Sequence, residues 1–91
     1  MELKLFADLA EAAGRKRFEL DPEPDATVGE ALDSVLEDSP ALADRVYENG
    51  EFREDINVLR NGTNVFTAGD GLDTPVEPGD ELAMFPPVSG G

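Results

Sequence analysis

An α+β domain, with a mixed sheet of four to five strands and one main helix packed across one face, is what three features of this 91-residue sequence predict. Short segments alternate polar and apolar residues with the period of a half-buried strand. One strong apolar stripe at helical spacing, entered through a capping box, separates the first two of these segments from the rest. The dipeptides Asn49-Gly50, Asn61-Gly62 and Gly79-Asp80 read as turns. Strands gathered around one helix bury their apolar faces against it.

Glu2 to Leu5 alternates, and Leu3, Leu5 and Ala7 share the inner face of a first strand. Ala10 to Gly14 reads as a short helical turn or loop closed by its glycine. Lys16 to Leu20 resumes the alternation with Phe18 and Leu20 inward, so the two segments form an N-terminal hairpin. Asp21-Pro22-Glu23-Pro24-Asp25 ends it, because proline gives a ladder no N–H. Thr27-Val28-Gly29-Glu30 is a capping box, and Val28, Ala31, Leu32, Val35 and Leu36 then fall on one stripe of a helix. Glu30, Asp33, Glu37 and Asp38 lie toward its solvated side. Pro40 stops this helix and opens a second short one over Ala41 to Tyr47, with Ser39 at its cap.

Asp55 to Arg60 alternates again with Ile56 and Val58 in phase. Asn61-Gly62 is suited to a type I′ hairpin turn into a partner strand over Thr63 to Thr67. Ala68 to Gly79, rich in glycine, proline and acids, reads as a long surface connection with little regular structure. Glu81 to Phe85 is the last strand. Hairpin, helix and further strands follow the order of a β-grasp domain, here residues 1–85, followed by a flexible tail over 86–91.

Charge excludes several partner classes. A net charge of −14 with seven Lys and Arg in all cannot grip phosphate backbones or anionic membranes. No apolar run approaches the roughly 20 residues of a membrane span, and the N-terminus lacks the features of a signal peptide, so a cytoplasmic monomer is expected. The chain has no Cys and no His, which removes thiol nucleophiles, the commonest general base and the commonest metal ligand. Neither a catalytic residue nor a metal site is therefore assigned. The acidic stretches Asp21 to Asp25 and Asp70 to Asp80 lack the ligand spacing of a calcium loop. Acids are spread along the chain, as at Glu19, Glu37, Glu54 and Asp55, while lysine is confined to Lys4 and Lys16. Such a surface suits concentrated salt, where a Debye length of roughly 3 Å screens its self-repulsion.

Strand phase raises a question about the other side of the sheet. If Leu3, Leu5, Ile56, Val58, Leu82 and Met84 face the helix, Phe6, Leu59 and Phe85 point away from it. These are either scattered surface hydrophobes or a docking patch for a partner protein. The patch would adjoin the point at which the chain leaves its last strand. Pro86-Pro87 cannot continue that strand and favours an extended, projecting path, while Gly90 and Gly91 can thread a groove too narrow for a side chain.

In Lys4-Leu5-Phe6-Ala7-Asp8-Leu9-Ala10, Ala26-Thr27-Val28-Gly29-Glu30-Ala31-Leu32, Ile56 to Gly62 and Phe85-Pro86-Pro87-Val88-Ser89-Gly90-Gly91, the chain resembles the ubiquitin-like MoaD/ThiS family of sulfur carriers. It most closely resembles the small archaeal modifier proteins within that family, which points to a haloarchaeal source. The resemblance spans the whole chain and implies a ubiquitin-like β-grasp fold. It also implies that an E1-like enzyme docks on Phe6, Leu59, Phe85 and Val88, uses ATP, and adenylates the Gly91 carboxylate beside Gly90. The chain itself is expected to bind no cofactor and to be a substrate or carrier, not an enzyme. Two fates are implied for the adenylate: an isopeptide bond to lysines of target proteins, or a thiocarboxylate for molybdopterin synthesis, with the large subunit of molybdopterin synthase as partner, or for tRNA thiolation. No prior processing is expected, since the sequence ends at Gly91. Lys4 and Lys16 are either solvated charges or acceptors of a further copy. A non-covalent interaction module with an unreactive tail is the alternative from another class.

Overall fold

The computed structural model describes residues 1–53 and 55–86. Its elements in chain order are β1 (Glu2–Leu5), α1 (Asp8–Ala13), β2 (Arg17–Glu19), α2 (Val28–Leu36), α3 (Pro40–Val46), β3 (Tyr47–Glu48), β4 (Glu51–Phe52), β5 (Asn57–Arg60), β6 (Thr63–Asn64), α4 (Val65–Ala68), a 3₁₀ turn at Gly71–Asp73, and β7 (Glu81–Phe85). Five strands form a sheet in the order β2-β1-β7-β5-β6, and β3 and β4 form a separate hairpin. The β1–β7 pair is parallel and the others are antiparallel, so the sheet is mixed. The ubiquitin-like β-grasp expected from the sequence is the fold.

The two periodicities of the chain meet in the core. Leu3, Leu5, Val58, Leu82 and Met84, at alternate strand positions, are buried against Val28, Ala31, Leu32, Val35 and Leu36 of α2. The capping box starts α2 as expected: the Glu30 N–H donates to Thr27 Oγ1 at 3.2 Å and the Thr27 N–H donates to Glu30 Oε1 at 3.1 Å. Pro40 occupies the first turn of α3, and Leu42 and Val46 bring that helix onto the same core. Among the described residues, no helix is long and apolar enough to cross a membrane.

Four expectations are corrected. Ala7 is not an inner-face strand residue: β1 stops at Leu5, and Ala7 is exposed with φ 54°, turning the chain into α1. That helix is real from Asp8, and Gly14 ends it at φ 79° with its N–H on the Ala10 and Glu11 carbonyls. The partner strand expected over Thr63 to Thr67 stops at Asn64, whose side chain accepts from the Phe66 N–H at 2.8 Å and caps α4. The Ala68 to Gly79 connection is less irregular than its composition suggests. The Val28 N–H donates to the Thr74 carbonyl and the Val76 N–H to the Ala26 carbonyl, so this segment is stitched to the start of α2 and Val76 is buried. Gly29 permits the contact, since a Cβ there would meet Leu72 Cβ and its carbonyl oxygen at 3.2 Å.

The start of β7 is held by a buried carboxylate. Asp80 Oδ2 accepts from Arg60 Nε and from the Glu77 N–H, each at 2.7 Å, and Oδ1 accepts from Asn61 Nδ2 at 2.9 Å. Asn61 Oδ1 in turn accepts from the Glu81 N–H at 3.0 Å. Burial by itself raises the Asp80 pKa, but the Asn61 amide, the Glu77 N–H and the Arg60 guanidinium outweigh it and hold the carboxyl below its ordinary value. The Asn61-Gly62 turn has φ values of 51° and 84°, the type I′ geometry expected.

Candidate functional site

β7 is the last strand among the described residues and central in the sheet, so its C-terminal end emerges between β1 and β5. The register places Arg17, Lys4, Ala83, Leu59 and Asn64 in one row across the face opposite α2. Beside that row, Asn57 pairs with Phe85, and the Phe6 ring stacks on the Phe85 ring with centroids 4.3 Å apart and planes 10° from parallel. Phe6 remains 39% exposed, while Phe85 and Leu59 are half-buried. The sheet face is therefore graded. Glu2, Glu19 and Glu81 lie toward one end, and an aromatic pair stands where the chain leaves the sheet at Pro86.

The structure brings Phe6, Phe85 and Leu59 onto one face. The stacking holds Phe85 at the end of β7, and a stacked aromatic pair contributes about 0.5–1.5 kcal/mol beyond its burial. Val88, Gly90 and Gly91 lie outside the described residues. The two lysines are placed differently: Lys4 is half-buried and paired with Glu81 at 3.3 Å, whereas Lys16 is exposed with no ion pair among the described residues. No group of three or more His, Cys, Asp or Glu among the described residues is placed to hold a metal ion.

A second aromatic group escaped sequence reasoning. Phe52 on β4 lies 5.9 Å edge-on to Tyr47 and 6.0 Å from Phe66, which is 42% exposed. Tyr47 donates its hydroxyl hydrogen to Asp33 Oδ1 at 2.9 Å. Burial, then that hydrogen bond and the Asp33 charge, raise the Tyr47 pKa above its usual value. The signal available was Asn49-Gly50, whose φ values of 55° and 82° form a type I′ turn; a hairpin built on it brings Tyr47 opposite Phe52.

Comparison with known proteins places the chain among small β-grasp proteins. The model of the ThiS family matches residues 3–91. Small archaeal modifier protein 1 of Haloferax volcanii is 52% identical over 92 residues, covering 100% of both chains. The crystal structure of SAMP1 from that organism superimposes with a TM-score of 0.88 at 52% identity, covering 100% of this chain and 98% of that one. A chain in the crystal structure of the BexX/CysO complex of Amycolatopsis orientalis matches with a TM-score of 0.80 at 30% identity, covering 99% of this chain and 98% of that one.

Proposed function

The chain belongs to the ThiS family, and on that footing we propose that it is a ubiquitin-like protein modifier whose Gly91 carboxylate is activated by an E1-like enzyme and joined to lysines of target proteins. The observation that carries this reading is the 52% identity, over the whole of both chains, to a protein named as a small archaeal modifier. The chemistry must come from outside, because a carboxylate is a poor electrophile and the chain has no Cys or His to activate it. In the activating enzyme, a Gly91 oxygen attacks the α-phosphorus of ATP and pyrophosphate leaves. A target lysine amine then attacks the acyl carbon, AMP leaves with the bonding electrons, and the amine gives up a proton. The domain's part is to be held while its end reaches the reaction. The face bearing Phe6, Leu59 and Phe85 is suited to that grip because it adjoins the point where the chain departs.

Membership of the ThiS family favours a second fate for the same adenylate. Sulfide delivered by a donor replaces AMP and leaves a Gly91 thiocarboxylate, for transfer in molybdopterin synthesis or tRNA thiolation. The sulfur sits on the terminal carbonyl carbon, so a chain without cysteine suffices. Deleting Gly90-Gly91 while following both conjugates and molybdoenzyme activity in cells tests the two fates together. Loss of a ladder of heavier conjugates supports the modifier, loss of molybdoenzyme activity supports the carrier, and loss of both supports a dual role. Partner binding unchanged by the deletion, with neither output altered, marks the chain as a non-covalent interaction module.

A further inference from the structure

The cations of this chain are unevenly committed. Of seven Lys and Arg, four are paired with carboxylates: Lys4 with Glu81, Arg45 with Asp8, Arg53 with Asp55 and Arg60 with Asp80. The remaining three, Arg15, Lys16 and Arg17, are consecutive, exposed and without an ion pair among the described residues. In a chain of net charge −14, three adjacent cations with no carboxylate partner among the described residues make a basic spot on an acidic surface.

That spot lies on an edge and beside a groove. β2 is one of the two edge strands of the sheet, with β6 at the other side. Lys16 and Leu20 bond across to β1, through Leu5 N–H to the Lys16 carbonyl and Leu20 N–H to the Met1 carbonyl. By antiparallel alternation, the backbone groups of Arg17 and Glu19 face outward. Arg15 lies over the Phe18 ring at 4.6 Å and donates from Nε to the Arg17 carbonyl at 3.0 Å, so it covers part of this edge. Next to it is a groove of about 500 Å³, lined by Lys4, Leu5, Phe6, Ala10, Lys16 and Arg17, with Glu11 as its one carboxylate. The lining combines apolar groups with cations, two of which have no ion pair among the described residues.

We propose that the groove between α1 and the β1–β2 edge is a docking site for an extended acidic peptide of a partner protein. An apolar side chain of the peptide sits against Phe6, the exposed apolar group of the lining, and flanking carboxylates pair with Lys16 and Arg17. Charge selects the occupant, because the rest of the acidic surface repels carboxylates and this edge attracts them. The site does not depend on the fate of Gly91.

The test is a titration of the ¹⁵N-labelled full-length protein, in about 0.5 M KCl to limit long-range attraction, with the synthetic peptide Asp-Glu-Leu-Val-Asp-Glu and its Asn/Gln counterpart. The expected result is amide shifts confined to residues around Phe6, Ala10, Lys16 and Arg17, with no comparable binding of the neutral peptide. The double variant Lys16→Glu, Arg17→Glu weakens binding about tenfold or more, as two exposed pairs become repulsive. Equal binding of the neutral peptide, shifts centred elsewhere such as Phe52 and Phe66, or no binding overturns the proposal. So does sedimentation showing that the wild type self-associates and the double variant does not, since the edge would then serve a second copy of the chain. If the double variant fails to fold, the contrast between the two peptides on the wild type still decides.

Discussion

Replacing Asp80 with Asn removes a charge and one acceptor while leaving the shape of the side chain almost unchanged. The remaining oxygen can serve Arg60 Nε and the Glu77 N–H, both of which now reach Oδ2 at 2.7 Å. The new NH₂ then faces Asn61 Nδ2, a donor 2.9 Å from the present Oδ1. Asn61 cannot turn to relieve the clash without giving up the Glu81 N–H that its own oxygen accepts at 3.0 Å. A hydrogen bond to a charged group contributes about 1.5–3 kcal/mol. The Arg60 side chain is 31% exposed and keeps access to water, so the loss falls below the roughly 3–5 kcal/mol of a fully buried pair broken on one side. The predicted cost is about 2–3 kcal/mol, or about 10–20 °C in Tm for a domain of this size. Thermal unfolding followed by circular dichroism in molar KCl measures it. The pH dependence follows from the depressed native pKa: the Asp80 contribution is present above the unfolded value near 3.8 and is lost as pH falls through the lower native value. The gap between wild type and Asp80→Asn should therefore narrow as pH falls below that unfolded value. A variant melting within about 2 °C of wild type at neutral pH would refute the reasoning.

Thr27→Ala removes the hydroxyl that accepts the Glu30 N–H and should cost about 1 kcal/mol in urea unfolding; an unchanged midpoint would mean that water replaces the cap without penalty. Phe6→Ser together with Phe85→Ser should abolish measurable association with the activating enzyme while changing secondary structure little, because Phe6 is exposed and both rings lie outside the α2-facing core; calorimetry showing wild-type affinity would remove this face from the proposed function. With net charge −14, the unfolding midpoint should rise from about 0.1 M to about 1 M KCl as the Debye length falls from roughly 10 Å to 3 Å; a flat or falling midpoint would argue against adaptation to concentrated salt.

How far the sequence revealed the fold depended on the length of each signal. Thr27-to-Leu36 was legible to the residue because the capping box and five apolar positions on one stripe agree. β7 was legible because Gly79-Asp80 and Pro86 bracket it. Ala7 was misread because alternation cannot show that the backbone takes a positive φ for a non-glycine residue. Val65 to Ala68 has β-branched and aromatic residues, yet it turns helical because Asn64 caps it and Val65 is buried. The Ala68 to Gly79 segment looked loose because its order comes from hydrogen bonds to Ala26 and Val28, partners more than 40 residues away. Of the candidate site, the shared face of Phe6, Leu59 and Phe85 followed from strand phase. The stacking of Phe6 on Phe85, and the lack of ion pairs at Arg15 to Arg17 among the described residues, were not legible, since register and ion pairing are set by tertiary contact.

The proposed function stands or falls on the bond made at Gly91. Conjugates purified from cells expressing a tagged copy, then digested and sequenced by tandem mass spectrometry, reveal that bond directly. The account predicts target peptides bearing Gly91 of this chain on a lysine Nε, absent when Gly90-Gly91 is deleted. Recovery of the chain only as free acid or thiocarboxylate, with no lysine-linked peptide under conditions in which the activating enzyme is working, would contradict it.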